Sequence, residues 1–366
     1  MKIKDIILAL EAELPLWLQE SYDNCGLQVG DPDLEATGAL LCVDLTEQVV
    51  EEAIERGCNL IVAHHPLLFK GLKTIGTGSY IERVVMRAIK ADVAIYAAHT
   101  NADNAPVGLN ALLARDLGLK NLRPLQPLSG KMSELITFVP QDYLEPVQEV
   151  LWAAGAGRIG AYDKCSFSSS GQGTFRALEG ANPFVGEQGE LHHESEVRLS
   201  VVLASADSSA VIKALHEAHP YEVPAYSLVP LANDYPMAGS GIVGDLAEQE
   251  LLSDFLDRVK AYFATEKLSY SACDASAHEV SRVAICSGAG AFLWRAARRA
   301  SADVLITGEA KYNDYFDVEC RPVLATVGHY ESECIATRVF GEIISRKFPN
   351  FMLFTSQLNS NPIKSI

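Results

Sequence analysis

The segment CNLIVAHHP (residues 58–66) decides the fold, because it joins a short apolar run to a pair of metal-binding side chains. The run CNLIVA (58–63) contains the β-branched apolar residues of a buried strand. His64 and His65 follow at its end, and imidazole is a ligand that suits zinc, iron, nickel and copper. The segment therefore predicts a strand with two candidate metal ligands at its carboxyl end.

Two other strand-like runs end in the same way, each followed by a histidine and a carboxylate. They are DVAIYAA (92–98) with His99 and Asp103, and RPVLATV (321–327) with His329 and Glu333. His329 and Glu333 are four residues apart, so a helix would place both on one face. A mixed histidine and carboxylate set is what two closely spaced divalent ions require, because a bridging carboxylate offsets their mutual repulsion. The pattern points to metal-assisted chemistry.

The chain around these runs alternates between strand-like and helical patterns. A predicted helix over 46–56 begins with Thr46 as its N-cap, and Gly57 suits the position after its end. Short buried strands that alternate with helices predict βαβ units and a parallel sheet. The same alternation returns over residues 280–333. Ligands of such sheets bind beyond the carboxyl ends of the strands, which is where all the candidate ligands lie.

The middle of the chain has a different pattern. Residues 128–231 predict an inserted ferredoxin-like module of β-α-β-β-α-β order, which divides an α/β core into 1–127 and 232–366. Within the module, SFSSSGQGTF (166–175) and ANPFVGEQGE (181–190) have low β-propensity and are predicted as loops. The polar surroundings of His192 and His193 likewise predict a solvated loop rather than a metal site.

Composition excludes several classes of protein. The 366 residues carry a net charge of −17, which argues against general nucleic-acid binding. No apolar stretch approaches the length of a membrane span, and Glu11, Glu13 and Pro15 interrupt the first apolar run too early for a signal peptide. The eight cysteines are scattered without a C-x-x-C pair, which favours a reducing, cytoplasmic location.

Ten stretches together give the chain its resemblance to a known family. Those of the two outer segments are DNCGLQVGDP (23–32), LIVAHHPLLFKG (60–71), AAHTNADNAPVGLN (97–110), GSGIVGDL (239–246), VAICSGAGA (283–291), ADVLITGEAKY (302–312) and VGHYESE (327–333). Those of the middle are GAGRIGAYDKCSF (155–167), GTFRALEGANPFVG (173–186) and HPYEVPAY (219–226). In this order they resemble the Nif-three-like family of dinuclear-metal hexamers, also labelled the GTP cyclohydrolase type-two family. The middle resembles that family's optional insertion, which is similar to the PII and CutA folds.

The resemblance implies a toroidal homohexamer and two divalent metal ions per chain. It assigns His64 and His65 to one ion each, and it adds Asp103, His329 and Glu333 as ligands, with Glu333 as the bridge. The donor types leave the metal open among zinc, iron, manganese, cobalt and nickel. The chain departs from the family in having Glu309 where aspartate is frequent and Val243 where arginine is frequent, which bears on substrate recognition rather than on metal binding.

Some roles stay open at the level of sequence. His99 is a ligand, a residue that orients a ligand, an acid or base, or a buried hydrogen-bonded histidine. Glu309 is a catalytic base with Lys311 as a phosphate contact, or both are exposed charges of a turn. Gly288 and Gly290 either cradle an anion at a helix N-terminus or permit close packing.

The function expected from these residues is metal-dependent hydrolysis with a metal-bridging hydroxide as nucleophile and with His99 or Glu309 managing protons. The substrate would be a nucleotide or a phosphorylated small molecule, opened at the purine ring or cleaved at a phosphoester or amide. The alternative is a metal-stabilised regulatory or scaffold hexamer whose inserted module senses a ligand or binds a partner. A metal store is less favoured, because the chain lacks the clusters of cysteine and methionine that suit copper.

Overall fold

The computed structural model describes residues 1–364. The chain forms two compact units, one built from residues 1–127 together with the segment that begins at Met237, and one built from Leu128–Pro236. The first unit therefore consists of two separate stretches of sequence. None of the helices among the described residues is both long and apolar enough to cross a membrane.

The first segment of the first unit contains five α-helices and five strands. They are α1 (Ile3–Glu13), β1 (Gly26–Val29), β2 (Ala39–Cys42), α2 (Glu47–Glu55), β3 (Leu60–Ala63), α3 (Tyr80–Lys90), β4 (Ala94–Ala97), α4 (Thr100–Asn104), α5 (Leu109–Asp116) and β5 (Lys120–Leu128). The predicted N-cap of α2 is confirmed, since Thr46 Oγ1 accepts a hydrogen bond of 3.3 Å from the amide of Val49. Gly57 follows the helix with a φ of +72°, which glycine adopts without a steric penalty.

The second unit has the β-α-β-β-α-β order of a ferredoxin-like module. Its elements are β6 (Met132–Pro140), α6 (Leu144–Ala153), β7 (Phe167–Arg176), β8 (Leu191–Ala204), α7 (Ser208–Ala218) and β9 (Tyr226–Leu231). The four strands form one antiparallel sheet in the order β7-β8-β6-β9. Leu135, Leu199 and Val201 pack on one face of this sheet with Val147 and Leu215 of the helices.

The prediction of loops in this unit is wrong at two places. Phe167–Arg176, which contains the serine- and glycine-rich run, is the strand β7, and His192 and His193 lie in β8. The reason is the hairpin itself, because β7 pairs with β8 along its full length from Phe167 opposite Ser200 to Arg176 opposite Leu191. Pairing of this extent overrides the weak intrinsic preferences of glycine and serine.

The second segment of the first unit supplies the remaining elements. They are β10 (Tyr235–Leu251), α8 (Leu252–Tyr262), β11 (Ser269–Tyr270), β12 (Glu279–Cys286), α9 (Trp294–Arg299), β13 (Val304–Thr307), α10 (Asp314–Asp317), β14 (Val323–Thr326), α11 (His329–Glu333), α12 (Ala336–Lys347) and β15 (Leu353–Thr355). Cys273 and Cys320 form a disulfide across 47 residues of sequence, a pairing that no sequence signal predicted.

The first unit contains two sheets, each with a parallel centre as predicted. One has the order β1-β4-β3-β2-β15 and the other β11-β14-β13-β12-β10-β5. In the first sheet β2, β3 and β4 are parallel, and in the second β12, β13 and β14 are parallel. The strand β15 from the end of the chain pairs with β2, so both stretches of sequence contribute to the first sheet. The central strands are buried on both faces, which explains their continuous apolar sequences.

Candidate metal centre

The histidine pair at the end of β3 has its ring orientation fixed by the neighbouring strands. His64 is fully buried, and its Nδ1 lies 2.9 Å from the carbonyl oxygen of Ala98. A carbonyl oxygen only accepts, so this nitrogen donates and the neutral ring keeps its lone pair on Nε2. His65 makes the same arrangement with a carboxylate, since its Nδ1 lies 2.8 Å from Asp44 Oδ1. Both rings therefore direct Nε2 away from their supporting partners.

His99 follows β4 and is held by a carboxylate from the beginning of the chain. Its Nδ1 lies 2.9 Å from Asp23 Oδ1, and the amide of Thr100 donates to Asp23 Oδ2 over 3.0 Å. Burial raises the pKa of the Asp23 carboxyl, but the interactions with His99 and Thr100 outweigh it and hold that pKa well below its usual value. Asp23 is thus an ionised, buried partner that orients His99.

His329 and Glu333 lie on the short helix α11, which two residues separate from β14. The prediction that this pair shares one face is confirmed, because His329 Nε2 lies 3.1 Å from Glu333 Oε2. The other ring nitrogen of His329, Nδ1, lies 3.4 Å from Glu309 Oε2. Glu309 has a side chain that is 56% exposed, so it reaches the centre from the solvent side.

The buried carboxylate of Glu333 faces two different sets of imidazoles. Its Oε1 lies 3.7 Å from His64 Nε2, whereas its Oε2 lies 2.9 Å from His65 Nε2. Burial raises the pKa of this carboxyl, but the neighbouring imidazoles outweigh it and hold the pKa well below its usual value. The side chain is therefore an anion at the middle of a histidine cluster.

Two groups of potential ligand atoms converge here. One consists of His64, His65 and His99, and the other of His65, His329 and Glu333, with the ligand atoms of each group within 4.8 Å of one another. Asp103 lies beside the first group, with its Oδ1 3.9 Å from His64 Nε2 and 3.3 Å from the hydroxyl of Ser287, which donates to it. The structure therefore brings all six predicted histidine and carboxylate candidates around one centre, with Glu309 at its rim.

The polar atoms at this centre lack the hydrogen bonds that burial normally demands. Within residues 1–364, His64 Nε2 and Glu333 Oε2 are buried and make no hydrogen bond of regular geometry, although Glu333 Oε2 lies 2.9 Å from His65 Nε2. Buried polar groups are almost always paired, so each unpaired atom calls for an explanation. The lone pairs of these imidazole nitrogen and carboxylate oxygen atoms face each other across a few ångströms. Atoms in such an arrangement are suited to bind a shared divalent cation. The residues present thus suit the metal pair that the sequence predicts.

Comparisons with known proteins identify the family of this chain. The family model described as Duf34/NIF3 (NGG1p interacting factor 3) matches residues 1–362. The chain belongs to the Duf34/NIF3 family. A Bacillus subtilis relative named GTP cyclohydrolase 1 type 2 homolog is 36% identical, with 98% of this chain and 97% of that protein aligned. A relative of the same name from Halalkalibacterium halodurans is 38% identical over 84% of this chain and 82% of its own length.

Solved structures show the same fold over the whole chain. The crystal structure of a Bacillus cereus protein related to NIF3 has a TM-score of 0.83 and 35% identity, and it covers 100% of this chain and 99% of its own. A Staphylococcus aureus protein has a TM-score of 0.78 and 28% identity with the same coverage. The NIF3-like α/β fold expected from the sequence is confirmed.

Sequence reasoning missed the two carboxylates that orient the histidines of this NIF3-family centre. Asp44 comes two residues after β2, at the same edge of the sheet as His64 and His65. A search for polar residues at the carboxyl ends of parallel strands could therefore have found it. Asp23 lies in a loop before β1, and 76 residues separate it from His99, so no local pattern connects the two. Such partners fix the ring orientation and raise the basicity of metal-bound histidines.

Gly288 makes room for Glu333, which favours the packing role over the anion cradle. A Cβ atom at this position would lie 2.3 Å from Glu333 Oε1, and Gly288 has a φ of +62°. Gly290 also permits close approach, since its Cβ would lie 2.4 Å from the Cβ of Cys286. The glycine-rich turn after β12 is therefore explained by the side chains it accommodates.

We predict that Gly288→Ala lowers the metal content of the protein, because the new methyl group displaces the Glu333 carboxylate. Gly57→Ala is the matched control, since Gly57 has a similar φ of +72° but no atom within 4 Å of the added Cβ. Elemental mass spectrometry of both variants measures the effect, and thermal melting shows that both fold. Equal metal content in the two variants would show that the Glu333 position does not govern binding.

Proposed function

We propose that this NIF3-family chain is a metal-dependent hydrolase with a pair of divalent ions at the centre described above. The observation that carries the proposal is the carboxylate of Glu333, whose two oxygens face separate sets of imidazoles. A carboxylate in that position suits a bridge between two ions, because each oxygen has its own histidine partners.

The donor distances support a division of the ligands between the ions. Two atoms that each lie about 2.1 Å from one ion are at most about 4.2 Å apart. His64 Nε2 meets this limit with Asp103 Oδ1 at 3.9 Å and with Glu333 Oε1 at 3.7 Å. These three residues would hold the first ion. The second ion would be held by His65, His329 and Glu333, since His65 Nε2 and His329 Nε2 lie 2.9 and 3.1 Å from Glu333 Oε2.

When bound, such a metal pair would supply an activated water and would stabilise negative charge that develops on the substrate. The protein's own contribution is to hold the imidazoles rigidly, through Asp44 behind His65 and Asp23 behind His99. His99 stands beside both histidines of the pair, so it serves as a further ligand or as an acid–base group. Glu309 reaches both solvent and His329 Nδ1, a position from which it can orient that ring and exchange protons with water.

The surroundings of the centre favour a ring-bearing or phosphorylated substrate. A cleft of about 580 Å³ is lined by His65 and His329, by the basic residues Lys267 and Lys364, and by the acidic residues Asp44, Glu266, Glu309 and Glu331. On another side, Phe69 lies 6.4 Å from His99 and 6.4 Å from Tyr22 between ring centroids, and both aromatic rings are exposed. Together with the cyclohydrolase names of its relatives, these features support a nucleotide or a phosphorylated small molecule, attacked at a purine ring or a phosphoester.

We expect close to two metal ions per chain in the native protein, and loss of at least one in His65→Ala and in Glu333→Gln. His65 contacts Asp44 and Glu333, so its removal takes away a donor that no other side chain replaces. His193→Ala serves as the control, because His193 is exposed on β8 of the other unit. Elemental mass spectrometry on the three variants provides the measurement, and the absence of metal from the native protein would refute the assignment.

Turnover is tested on the metal-loaded protein with nucleoside triphosphates and aryl phosphoesters. We expect hydrolysis that falls at least about 100-fold in His65→Ala, the range seen when groups that stabilise transition-state charge are removed. Two bound metals without turnover would instead favour the metal-stabilised regulatory or scaffold reading. The homohexamer that the family resemblance implies stays a prediction, which light scattering of the native protein measures.

Asp44→Asn should weaken metal binding without removing a proposed ligand. The amide cannot stabilise the positive charge that His65 shares with a bound ion, and loss of such a partner typically lowers metal affinity about 10- to 100-fold. Asp33→Asn is the matched control, since Asp33 pairs with Lys2 and Lys4 on the surface. Titration with a chelator measures both affinities, and equal values would leave Asp44 without a role at the centre.

A further inference from the structure

The second unit contains a cavity of about 700 Å³ that the proposed hydrolase site does not use. It lies on the face of the antiparallel sheet opposite to the helices α6 and α7. Strand register places Phe138 and Ser169 opposite Arg198, and Gly171 opposite Glu196. Residues directly opposite each other in an antiparallel pair share a face, so these side chains meet on the floor of the cavity.

Aromatic rings form the walls of this cavity. Tyr221 lies 6.3 Å from Phe175 and 6.2 Å from Phe184, measured between ring centroids. Phe138 adds a ring that is 38% exposed on the sheet face. Rings at such separations present flat apolar surfaces against which another planar ring packs favourably.

Glycines keep the floor open between these walls. A Cβ atom at Gly173 would lie 2.1 Å from Glu196 Oε2, so only glycine lets this carboxylate lie flat on the sheet. At Gly171 an added Cβ would have only the backbone oxygen of Glu196 nearby, at 3.9 Å. The volume above Gly171 is thus free space rather than a tight backbone contact.

Three charged residues line the cavity, and two of them have hydrogen-bond partners. Glu222 Oε2 accepts a hydrogen bond of 3.1 Å from the amide of Asn182. Glu196 Oε1 accepts a hydrogen bond of 2.9 Å from the hydroxyl of Tyr221. Within residues 1–364, the Arg198 guanidinium has neither a hydrogen bond nor an ion pair, although the residue is half-buried. A planar guanidinium beside aromatic rings is suited to a carboxylate or phosphate group, which it binds through two parallel hydrogen bonds.

We propose that this cavity binds a small planar aromatic molecule that carries an anionic group and a ring N–H. The anion pairs with Arg198, the ring packs among Tyr221, Phe175 and Phe184, and the N–H donates to Glu196. The volume falls in the range of small-molecule sites, which are largely apolar with a few placed polar groups. The proposal is independent of the hydrolase assignment, because none of these residues belongs to the metal centre.

The test measures binding to the full-length, metal-loaded protein by calorimetry with three probes. Guanosine 5′-monophosphate carries the ring N–H and a phosphate, indole-3-acetate carries the ring N–H and a carboxylate, and guanosine lacks the anion. We expect one of the two anions to bind and guanosine to bind at least about tenfold more weakly, as the loss of a charge-assisted contact implies. Which anion binds tells whether the ligand is a phosphate or a carboxylate.

Matched variants locate the binding. Arg198→Gln should weaken it about tenfold or more, while Arg176→Gln, an exposed arginine of the same hairpin outside the cavity, should leave it within about twofold. Gly171→Leu should abolish binding by filling the cavity, whereas Ser168→Leu, which faces away from Arg198 on the same strand, should not. His65→Ala should retain binding, which separates this site from the metal centre.

Three results would overturn the proposal. The first is that none of the probes binds at millimolar concentration to protein that melts cooperatively. The second is equal affinity for the native protein and Arg198→Gln. The third is a change of oligomeric mass in Gly171→Leu but not in Ser168→Leu, which would show that a second copy of the chain occupies the cavity.

Discussion

The burial of one carboxylate, that of Glu333, constrains the rest of the first unit. An ionised carboxylate loses its hydration on burial and must recover that energy from fixed positive or donor groups. Here the Nε2 atoms of His64, His65 and His329 surround it, and divalent cations held among them would supply that charge. These histidines come from the ends of two different sheets. The two sheets must therefore bring their carboxyl edges together before the centre exists. Gly288 is also required for this arrangement, because the side chain of any larger residue would occupy the position of the Glu333 carboxylate.

The supporting partners turn a group of histidines into an ordered set. A free imidazole can present either nitrogen, but His64, His65 and His99 each bind an acceptor through Nδ1. The acceptors differ in kind, being a main-chain oxygen behind His64 and carboxylates behind the other two. A main-chain acceptor orients the ring without adding charge, whereas a carboxylate also increases the electron density at the opposite nitrogen. Ring orientation is thus fixed by the fold before any ion binds.

Much of this centre could be predicted from sequence, because most of its histidines follow directly after strand-like runs. His64, His65, His99 and His329 come within a few residues of strand ends, and parallel strands gather their ends at one edge. Asp23 could not be found in this way, since its relation to His99 exists only after β1 pairs with β4. The strand β7 was hidden for a similar reason. Its glycines and serines carry no strand signal alone, and the long pairing with β8 decides its structure.

The number of protein donors favours catalysis over a purely structural role for the proposed metal pair. Structural sites close their coordination shells with protein atoms, whereas catalytic sites keep a position for water or substrate. Two four-coordinate ions need about eight donor positions, and His64, His65, Asp103, His329 and a bridging Glu333 supply six. With His99 as a further ligand the proposed pair would have seven protein donors, which would still leave a position for water or substrate. Such an incomplete shell would add little to the stability of the fold, which Phe255, Phe340 and the buried strands already provide. It is the arrangement expected where a substrate must reach the ions.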